Sequence, residues 1–355
     1  MKKLLILTTA LSSLAFAAHA DITVMSWGGA YGEAQNEAFV KPFAAATGKP
    51  TIMVDSDNPA TSIKAMVEAG NVTVDTANIE YADAIRLCDE GVLEVIDPAI
   101  LPPGSDGTPA VEDFLPGAVT ECGVSTDIWA TVFAYDTSKF PEGPKVVADF
   151  FDLEKFPGKR GLRKGAKAVL ELALMGDGVP ASEVYAVLGT PEGVDRAFAK
   201  LDTIKDSVVW WEAGAQAPQL LADGEVAMTT AYNGRIFAAA MNEGKPFQIV
   251  WDGQIYENEM FVVPKGAPNL ADALEFIAFA TSTEGLRASA QQISYGPARK
   301  SAMKEELIFK DGKTVMAPHL PTAPDNMTNA LETSSDFWVD HDAELNERFQ
   351  AWLSQ

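Results

Sequence analysis

Short β-rich segments alternate with helical segments along most of the chain, and this alternation constrains the fold more than any other feature. Strands are predicted at Ile22–Ser26, Thr51–Asp55 and residues 75–79, and a helical segment separates each from the next. Helices inserted between such strands favour βαβ units and a largely parallel sheet. We therefore expect an α/β protein, and 355 residues suit two domains of ordinary size.

The N-terminus has the pattern of a secretory signal peptide. Lys2 and Lys3 precede an apolar run over residues 4–16, and the run 18–20 (Ala-His-Ala) fits a small-x-small cleavage site. The apolar run is too short to span a bilayer of roughly 30 Å. We expect residues 1–20 to be cleaved and the mature protein to be exported to the periplasm.

The composition is strongly acidic, with a formal net charge of −23. Such a surface repels nucleic acid and anionic membranes. It would attract a cationic solute, although solubility alone explains the charge equally well. We expect no nucleic-acid partner.

The sequence contains two cysteines, Cys88 and Cys122. In an oxidising compartment such a pair predicts one disulfide bond, with two buried free thiols as the alternative.

Motifs of known enzyme classes are absent from the sequence. Past the leader the only histidines are His319 and His341, and no hydrolase, P-loop or dinucleotide-binding pattern occurs. Carboxylates are plentiful, so an acid–base pair of the glycosidase kind stays open. We predict no catalytic residue, no metal site and no cofactor.

Five segments stand out in order along the mature chain: SWGGAY (26–31), LLADGEVAM (220–228), AYNGR (231–235), GQIYENE through VPKG (253–266) and ISYGP (293–297). Together they resemble the spermidine/putrescine-binding family of ABC importer receptors. The resemblance implies a two-lobed periplasmic binding protein fold of type II, with a ligand cleft between the lobes and a two-strand hinge. It places an N-terminal lobe at 21–134 with 259–298 and a C-terminal lobe at 135–258 with 299–355.

The resemblance also implies which residues bind the ligand. Aromatic faces bind both the methylenes and the charged nitrogens of a polyamine, and carboxylates bind its ammonium groups. The positions that match are Trp27, Tyr31, Glu80, Tyr81, Tyr232, Glu259 and Tyr295. Glu257, two residues before Glu259, would face the same way on a strand and is added to the site, although better-known members carry an aromatic residue there.

One segment departs from the family pattern. Better-known members carry two amine-binding carboxylates where this chain has Arg163–Ala168, part of a basic stretch over residues 155–167. The stretch is interpreted as a solvated loop, a docking patch for the permease or a grip on a ligand carboxylate. Glu80 and Glu257 could replace the missing acids; otherwise the ligand is a shorter diamine or an amine-bearing zwitterion.

The sequence therefore predicts a monomeric periplasmic receptor that captures a small cationic solute by hinge closure and delivers it to the permease of an ABC importer. The resemblance favours putrescine or spermidine. A receptor for an amine-bearing zwitterion or an anion is the alternative within binding proteins. A secreted hydrolase or lyase on a two-lobed scaffold is the alternative of another class.

Overall fold

The computed structural model describes residues 21–355, and the predicted signal peptide lies outside the described residues. Ten strands join in one sheet. Their bounds are β1 Ile22–Ser26, β2 Thr51–Asp55, β3 Thr76–Glu80, β4 Gly123–Asp136, β5 Arg160–Arg163, β6 Val208–Trp211, β7 Met228–Tyr232, β8 Phe247–Val262, β9 Gly296–Pro297 and β10 Leu331–Glu332.

Helices flank the sheet, as the alternating pattern predicts. Their bounds are α1 Gly29–Gln35, α2 Lys41–Thr47, α3 Pro59–Glu68, α4 Tyr81–Asp89, α5 Ala110–Asp113, α6 Val169–Gly176, α7 Val184–Leu188, α8 Pro191–Asp202, α9 Gln216–Ala222, α10 Asn233–Glu243, α11 Leu270–Ala280, α12 Thr283–Ala290 and α13 Ser335–Leu353. A π-helical segment, Asn36–Val40, joins α1 to α2. Among the helices of residues 21–355, none is long and apolar enough to cross a membrane.

The order of strands divides the sheet into two lobes. The path runs β2-β1-β3-β8-β4-β7-β5-β6, with β10 beside β8 and β9 beside β4. Strands β1, β2 and β3 pair in parallel at one end, and β5, β6 and β7 pair in parallel at the other. We call these ends, with their flanking helices, the first lobe and the second lobe. The architecture is the α/β two-lobed fold that the sequence predicts.

Strands β4 and β8 connect the lobes. They run antiparallel to each other, and both are long, with 14 and 16 residues. The end of β8 pairs with β3 of the first lobe, and the end of β4 pairs with β7 of the second lobe. The register between them shifts near Ser125 and again near Thr131, which locally weakens the ladder. The predicted lobe boundaries, 134/135 and 258/259, fall inside these two strands.

Each lobe has its own hydrophobic core. In the first lobe, Phe39, Phe43, Phe261 and Phe276 pack edge to face beside the parallel strands. In the second lobe, α6, α8 and α13 cover the sheet, and the predicted apolar face of the last helix is buried through Leu345, Phe349 and Trp352. Separate cores allow the lobes to move as units about β4 and β8.

The predicted disulfide is present. Cys88 near the end of α4 is bonded to Cys122 just before β4, with a Cα–Cα distance of 5.8 Å. The bond closes a loop of 34 residues within the first lobe. The chain-entropy account gives such a loop roughly 3–4 kcal/mol of stabilisation.

Candidate ligand-binding site

A small cavity lies between the lobes, against the connecting strands β4 and β8. The space in it that a water-sized sphere can occupy is about 20 Å³. Its walls come from both lobes and are mostly aromatic. The lining residues are Trp27, Tyr31, Glu80, Trp129, Tyr232, Arg235, Glu259 and Tyr295.

The turn between β1 and α1 positions two of these aromatic residues. Gly28 and Gly29 both have positive φ, 63° and 56°, which favours glycine. A Cβ at Gly28 would lie 2.6 Å from a carboxylate oxygen of Asp55, and a Cβ at Gly29 would lie 2.7 Å from the Arg235 guanidinium. The glycines therefore allow a tight turn that brings Trp27 and its backbone carbonyl to the cavity.

Paired aromatic rings form the walls of the cavity. Tyr31 and Tyr295 meet edge to face with ring centroids 5.1 Å apart. Trp129 and Tyr232 meet in the same way at 5.0 Å. Such walls suit methylene groups, and their faces also attract cations.

One part of the wall carries two buried carboxyl groups. Trp27 Nε1 donates a hydrogen bond to Glu259 Oε1 at 2.7 Å, and the Tyr31 hydroxyl donates to Asp127 Oδ2 at 2.7 Å. Burial and then the charge of Asp127 raise the pKa of Glu259 well above its usual range. Burial raises the pKa of Asp127 to about 7.

These two carboxyl groups lack a cationic partner among residues 21–355. Neither Glu259 nor Asp127 forms a salt bridge there, and the buried Oδ1 of Asp127 accepts no hydrogen bond. A buried carboxylate without a counter-ion is costly. A ligand ammonium would relieve this cost.

A second part of the wall carries buried positive charge. Arg235 is 5% exposed and donates to the carbonyls of Gly28 and Trp27 at 3.2 and 3.3 Å. Within the described residues its guanidinium forms no salt bridge with an acid, and its buried Nε has no hydrogen-bond partner. A guanidinium in this state is suited to a ligand carboxylate, which it can bind through two hydrogen bonds.

A charged network lies directly beside the cavity. Lys167 Nζ is 2.7 Å from Glu80 Oε2 and 2.8 Å from Glu257 Oε1, and Arg163 Nη1 is 3.2 Å from Glu80 Oε1. Burial alone would raise the pKa of Glu80, but Lys167 and Arg163 lower it to about 2. Burial raises the pKa of Glu257, in spite of Lys167. We call Glu80, Arg163, Lys167 and Glu257 the Lys167 network.

The structure brings most of the predicted ligand-binding residues together. Among them, Trp27, Tyr31, Glu80, Tyr232, Glu259 and Tyr295 line the cavity. Glu257 lies beside the cavity and is held by Lys167. Tyr81 is not among the lining residues; it begins α4 and packs against the core of the first lobe. Its hydroxyl lies beside Gly117, just before β4.

Three further residues of the site were not selected from the sequence. Asp127 and Trp129 are two apart on β4, so their side chains share a face of the sheet, but nothing in the sequence sets this face apart. Arg235 follows Tyr232 by three residues at the start of α10, which puts both on one side of the helix. That spacing was a usable signal for Arg235.

The predicted basic stretch does not behave as one unit. Arg160 is fully buried and donates to four backbone carbonyls, those of Phe150, Asp152, Phe156 and Gly158. Arg163 and Lys167 enter the cleft, whereas Lys164 is on the surface, paired with Glu212. The interpretation as a single solvated loop is therefore wrong, because carbonyls and carboxylates bind three of its cations.

Known proteins resemble this chain over nearly its whole length. A gamma-aminobutyric acid-binding protein of Pseudomonas aeruginosa is 47% identical over 350 residues, which cover 97% of this chain and 96% of the relative. The structure of PBP MotA from A. tumefaciens B6 in complex with glucopine has a TM-score of 0.84 at 31% identity, covering 94% of this chain and 100% of that one. The Atu4243 GABA receptor has a TM-score of 0.78 at 32% identity, covering 94% and 98%.

These relatives are binding proteins and not enzymes, so the hydrolase or lyase alternative is set aside. The resemblance noted in the sequence holds at the level of solute-binding receptors of ABC importers, and none of these three relatives is named for a polyamine. The family of bacterial extracellular solute-binding proteins is matched over residues 38–322. The chain belongs to this family, as a receptor for a small solute.

Proposed function

We propose that the protein is the periplasmic receptor of an ABC importer for 4-aminobutyrate or a closely similar ω-amino acid. The observation that carries the proposal is the presence of a guanidinium and of carboxyl groups, neither held in a salt bridge, on the wall of one aromatic cavity. Arg235 contacts the backbone carbonyl of Trp27, and Glu259 contacts the indole N–H of the same residue. The two charges are thus separated along the Trp27 side chain.

A zwitterion with a short aliphatic chain matches this arrangement. Its carboxylate would bind Arg235, its ammonium would bind Glu259 and Asp127, and its methylenes would lie against the aromatic rings. The space left for a ligand in the cavity is about 20 Å³, far below the range for ligand pockets, about 300–1,000 Å³, so the lobes or the lining side chains must move to admit one.

The charges of the site also disfavour a diamine. A ligand that carried an ammonium at both ends would place one of them beside Arg235. Glu80, the other acidic residue of the lining, is already neutralised by Arg163 and Lys167. The 47% identical relative named for gamma-aminobutyric acid supports the same choice.

Capture would proceed by closure of the lobes. The lining of the cavity comes from the turn after β1, from α1 and from β3 of the first lobe, from β7 and α10 of the second, from the connecting strands, and from Tyr295 just before β9. A ligand in the cavity therefore contacts both lobes and stabilises the closed form, which is the form presented to the permease. The predicted signal peptide is consistent with a role in the periplasm.

Calorimetric titration of ligand-free protein (residues 21–355, refolded from denaturant) tests the proposal. The ligands are 4-aminobutyrate, n-butylamine, butyrate, putrescine and spermidine. We expect 4-aminobutyrate to bind at least about 30-fold more tightly than any of the others, because each of them leaves one buried charge unpaired. Binding of n-butylamine or putrescine as tight as that of 4-aminobutyrate would refute the proposal.

A further inference from the structure

Four carboxylates converge on one face of the sheet at the cleft. Glu80 on β3 and Asp127 on β4 both pair in register with Glu259 on β8, and Glu257 is two residues before Glu259 on the same face. All four residues are no more than 6% exposed. Buried carboxylates at this spacing repel one another and require cations.

Lys167 supplies an ammonium group to two of the four. Its Nζ lies between Glu80 and Glu257, within 2.9 Å of both. The lysine side chain is 15% exposed, and the charges of Glu257 and Glu80 raise its pKa although burial opposes this. This ammonium therefore occupies the place between the two carboxylates that a ligand ammonium would otherwise take.

The backbone next to Lys167 is strained. Ala168 has a φ of 66°, and it is the one non-glycine residue with positive φ among residues 21–355. This left-handed conformation is unfavourable for an alanine, because its Cβ approaches the backbone. Such strain persists where surrounding contacts fix the backbone, and the ion pairs of Lys167 are contacts of this kind.

The Lys167 network also separates two spaces. Glu80 and Trp27 line both the aromatic cavity and a larger cleft of about 390 Å³ that includes Arg163 and Lys167. A ligand that extended from the cavity past Glu80 would meet the ammonium of Lys167. A second ammonium on that ligand would be repelled there and would find both carboxylates already paired.

We propose that Lys167 is a built-in ammonium group that fills an acidic subsite between Glu80 and Glu257 and thereby excludes diamines and polyamines from the cleft. The inference rests on the proposed function for the ligand in the cavity. It deepens that function by naming the residue that restricts the ligand to one ammonium.

The test is the affinity of Lys167→Ala for putrescine, cadaverine and spermidine, relative to that of the wild type. The variant frees the two carboxylates and the volume of the lysine side chain. We expect at least one of these amines to bind about tenfold or more tightly to the variant than to the wild type. The gain should be reduced when Glu80→Gln is added. Lys164→Ala, on the same loop but paired with Glu212 at the surface, is the matched control and should show no gain.

A folded Lys167→Ala that gains no affinity for any of the three amines would overturn the inference, as would tight binding of diamines by the wild type. If the single variant does not fold, the double variant Lys167→Ala/Glu257→Gln removes the ammonium and one of its two carboxylate partners together. The inference then requires the same gain in amine affinity, with Glu80 binding the ligand ammonium. The proposed function is measured separately, from the wild type with 4-aminobutyrate. If the wild type did not bind 4-aminobutyrate, the proposed function would fail, but the ratio of amine affinities between the variant and the wild type could still be measured.

Discussion

The aromatic cavity and the Lys167 network lie side by side and are both buried. They differ in whether their ionisable groups have partners of opposite charge. In the network, every formal charge has a partner of opposite sign within 3.2 Å. On the cavity wall, Arg235 and Glu259 form no salt bridge within the described chain; the buried Nε of Arg235 donates no hydrogen bond, and Oδ1 of Asp127 accepts none. The network is complete in itself, whereas the cavity has unpaired groups that, in our proposal, a ligand pairs.

This difference identifies which charges select the ligand. A buried polar group without a partner costs free energy that ligand binding can recover. A buried carboxylate that is already paired with a lysine gains nothing from a ligand ammonium, because the lysine carries the same charge and occupies the same place. Whether a charged group already has a partner is therefore a better guide to ligand contact than its distance from the cleft. On β8, Glu257 is paired with Lys167, whereas Glu259 forms no salt bridge among the described residues.

The largest expected effect comes from removing a charge on the cavity wall. Arg235→Met and Glu259→Gln should each weaken 4-aminobutyrate binding by about 30-fold to several thousand-fold, since each leaves one charge of the bound ligand unpaired. Arg235→Lys keeps the charge but loses the two-pronged geometry, and should have a smaller effect. Calorimetric titration measures all three. If Arg235→Met bound 4-aminobutyrate as tightly as the wild type, the unpaired groups of the cavity would not be the ones that bind the ligand.

The affinity for 4-aminobutyrate should fall as the pH decreases. Burial raises the pKa of Asp127 to about 7 and that of Glu259 well above its usual range, and a ligand ammonium favours the ionised carboxylates. Binding therefore releases protons, and the affinity should decrease by up to about tenfold for each pH unit below 7, for one linked proton. Titrations between pH 5.5 and 8, in which the ligand keeps both charges, measure this. A flat profile would show that these carboxyl groups do not bind the ammonium.

Glu171 tests whether unpaired buried atoms always indicate a ligand site. Its Oε2 has no partner among the described residues, yet it lies in the core of the second lobe, where Oε1 accepts from Trp338 Nε1 at 2.7 Å. Burial raises its pKa to about 7 from 4.5. The folded protein thus retains a proton that the unfolded chain loses, and stability decreases as the pH rises from about 4.5 to 7.

Glu171→Gln should therefore raise the free energy of unfolding at pH 8 by roughly 1–3 kcal/mol, with little change at pH 4.5. The affinity for 4-aminobutyrate should not change. Urea denaturation at the two pH values measures the first effect, and Glu192→Gln, which is exposed on α8, is the control. A loss of affinity in Glu171→Gln would mean that the core and the cavity are coupled more closely than the geometry indicates.

The sequence predicts the architecture well because local patterns determine it. The periodicity of strands and helices predicts the parallel parts of the sheet. The turn at Gly28 and Gly29, after β1, predicts that Trp27 and Tyr31 lie at the ligand site. The pairing of charges is different in kind. Lys167 is 87 residues from Glu80 and 90 from Glu257, so only the closed arrangement of the lobes brings them together. The sequence offered Glu80 and Glu257 as replacements for the acids that the family pattern lacks here, but it could not show that a lysine neutralises them.

The central claim is that the cavity binds a zwitterion between Arg235 and Glu259. A crystal structure of residues 21–355 with 4-aminobutyrate tests it most directly. We expect the ligand carboxylate within about 3.2 Å of the Arg235 guanidinium and the ammonium within about 3.2 Å of Glu259 or Asp127, with the Lys167 network intact. A ligand bound in the reverse orientation, or bound in the outer cleft between Glu80 and Glu257, would contradict the account.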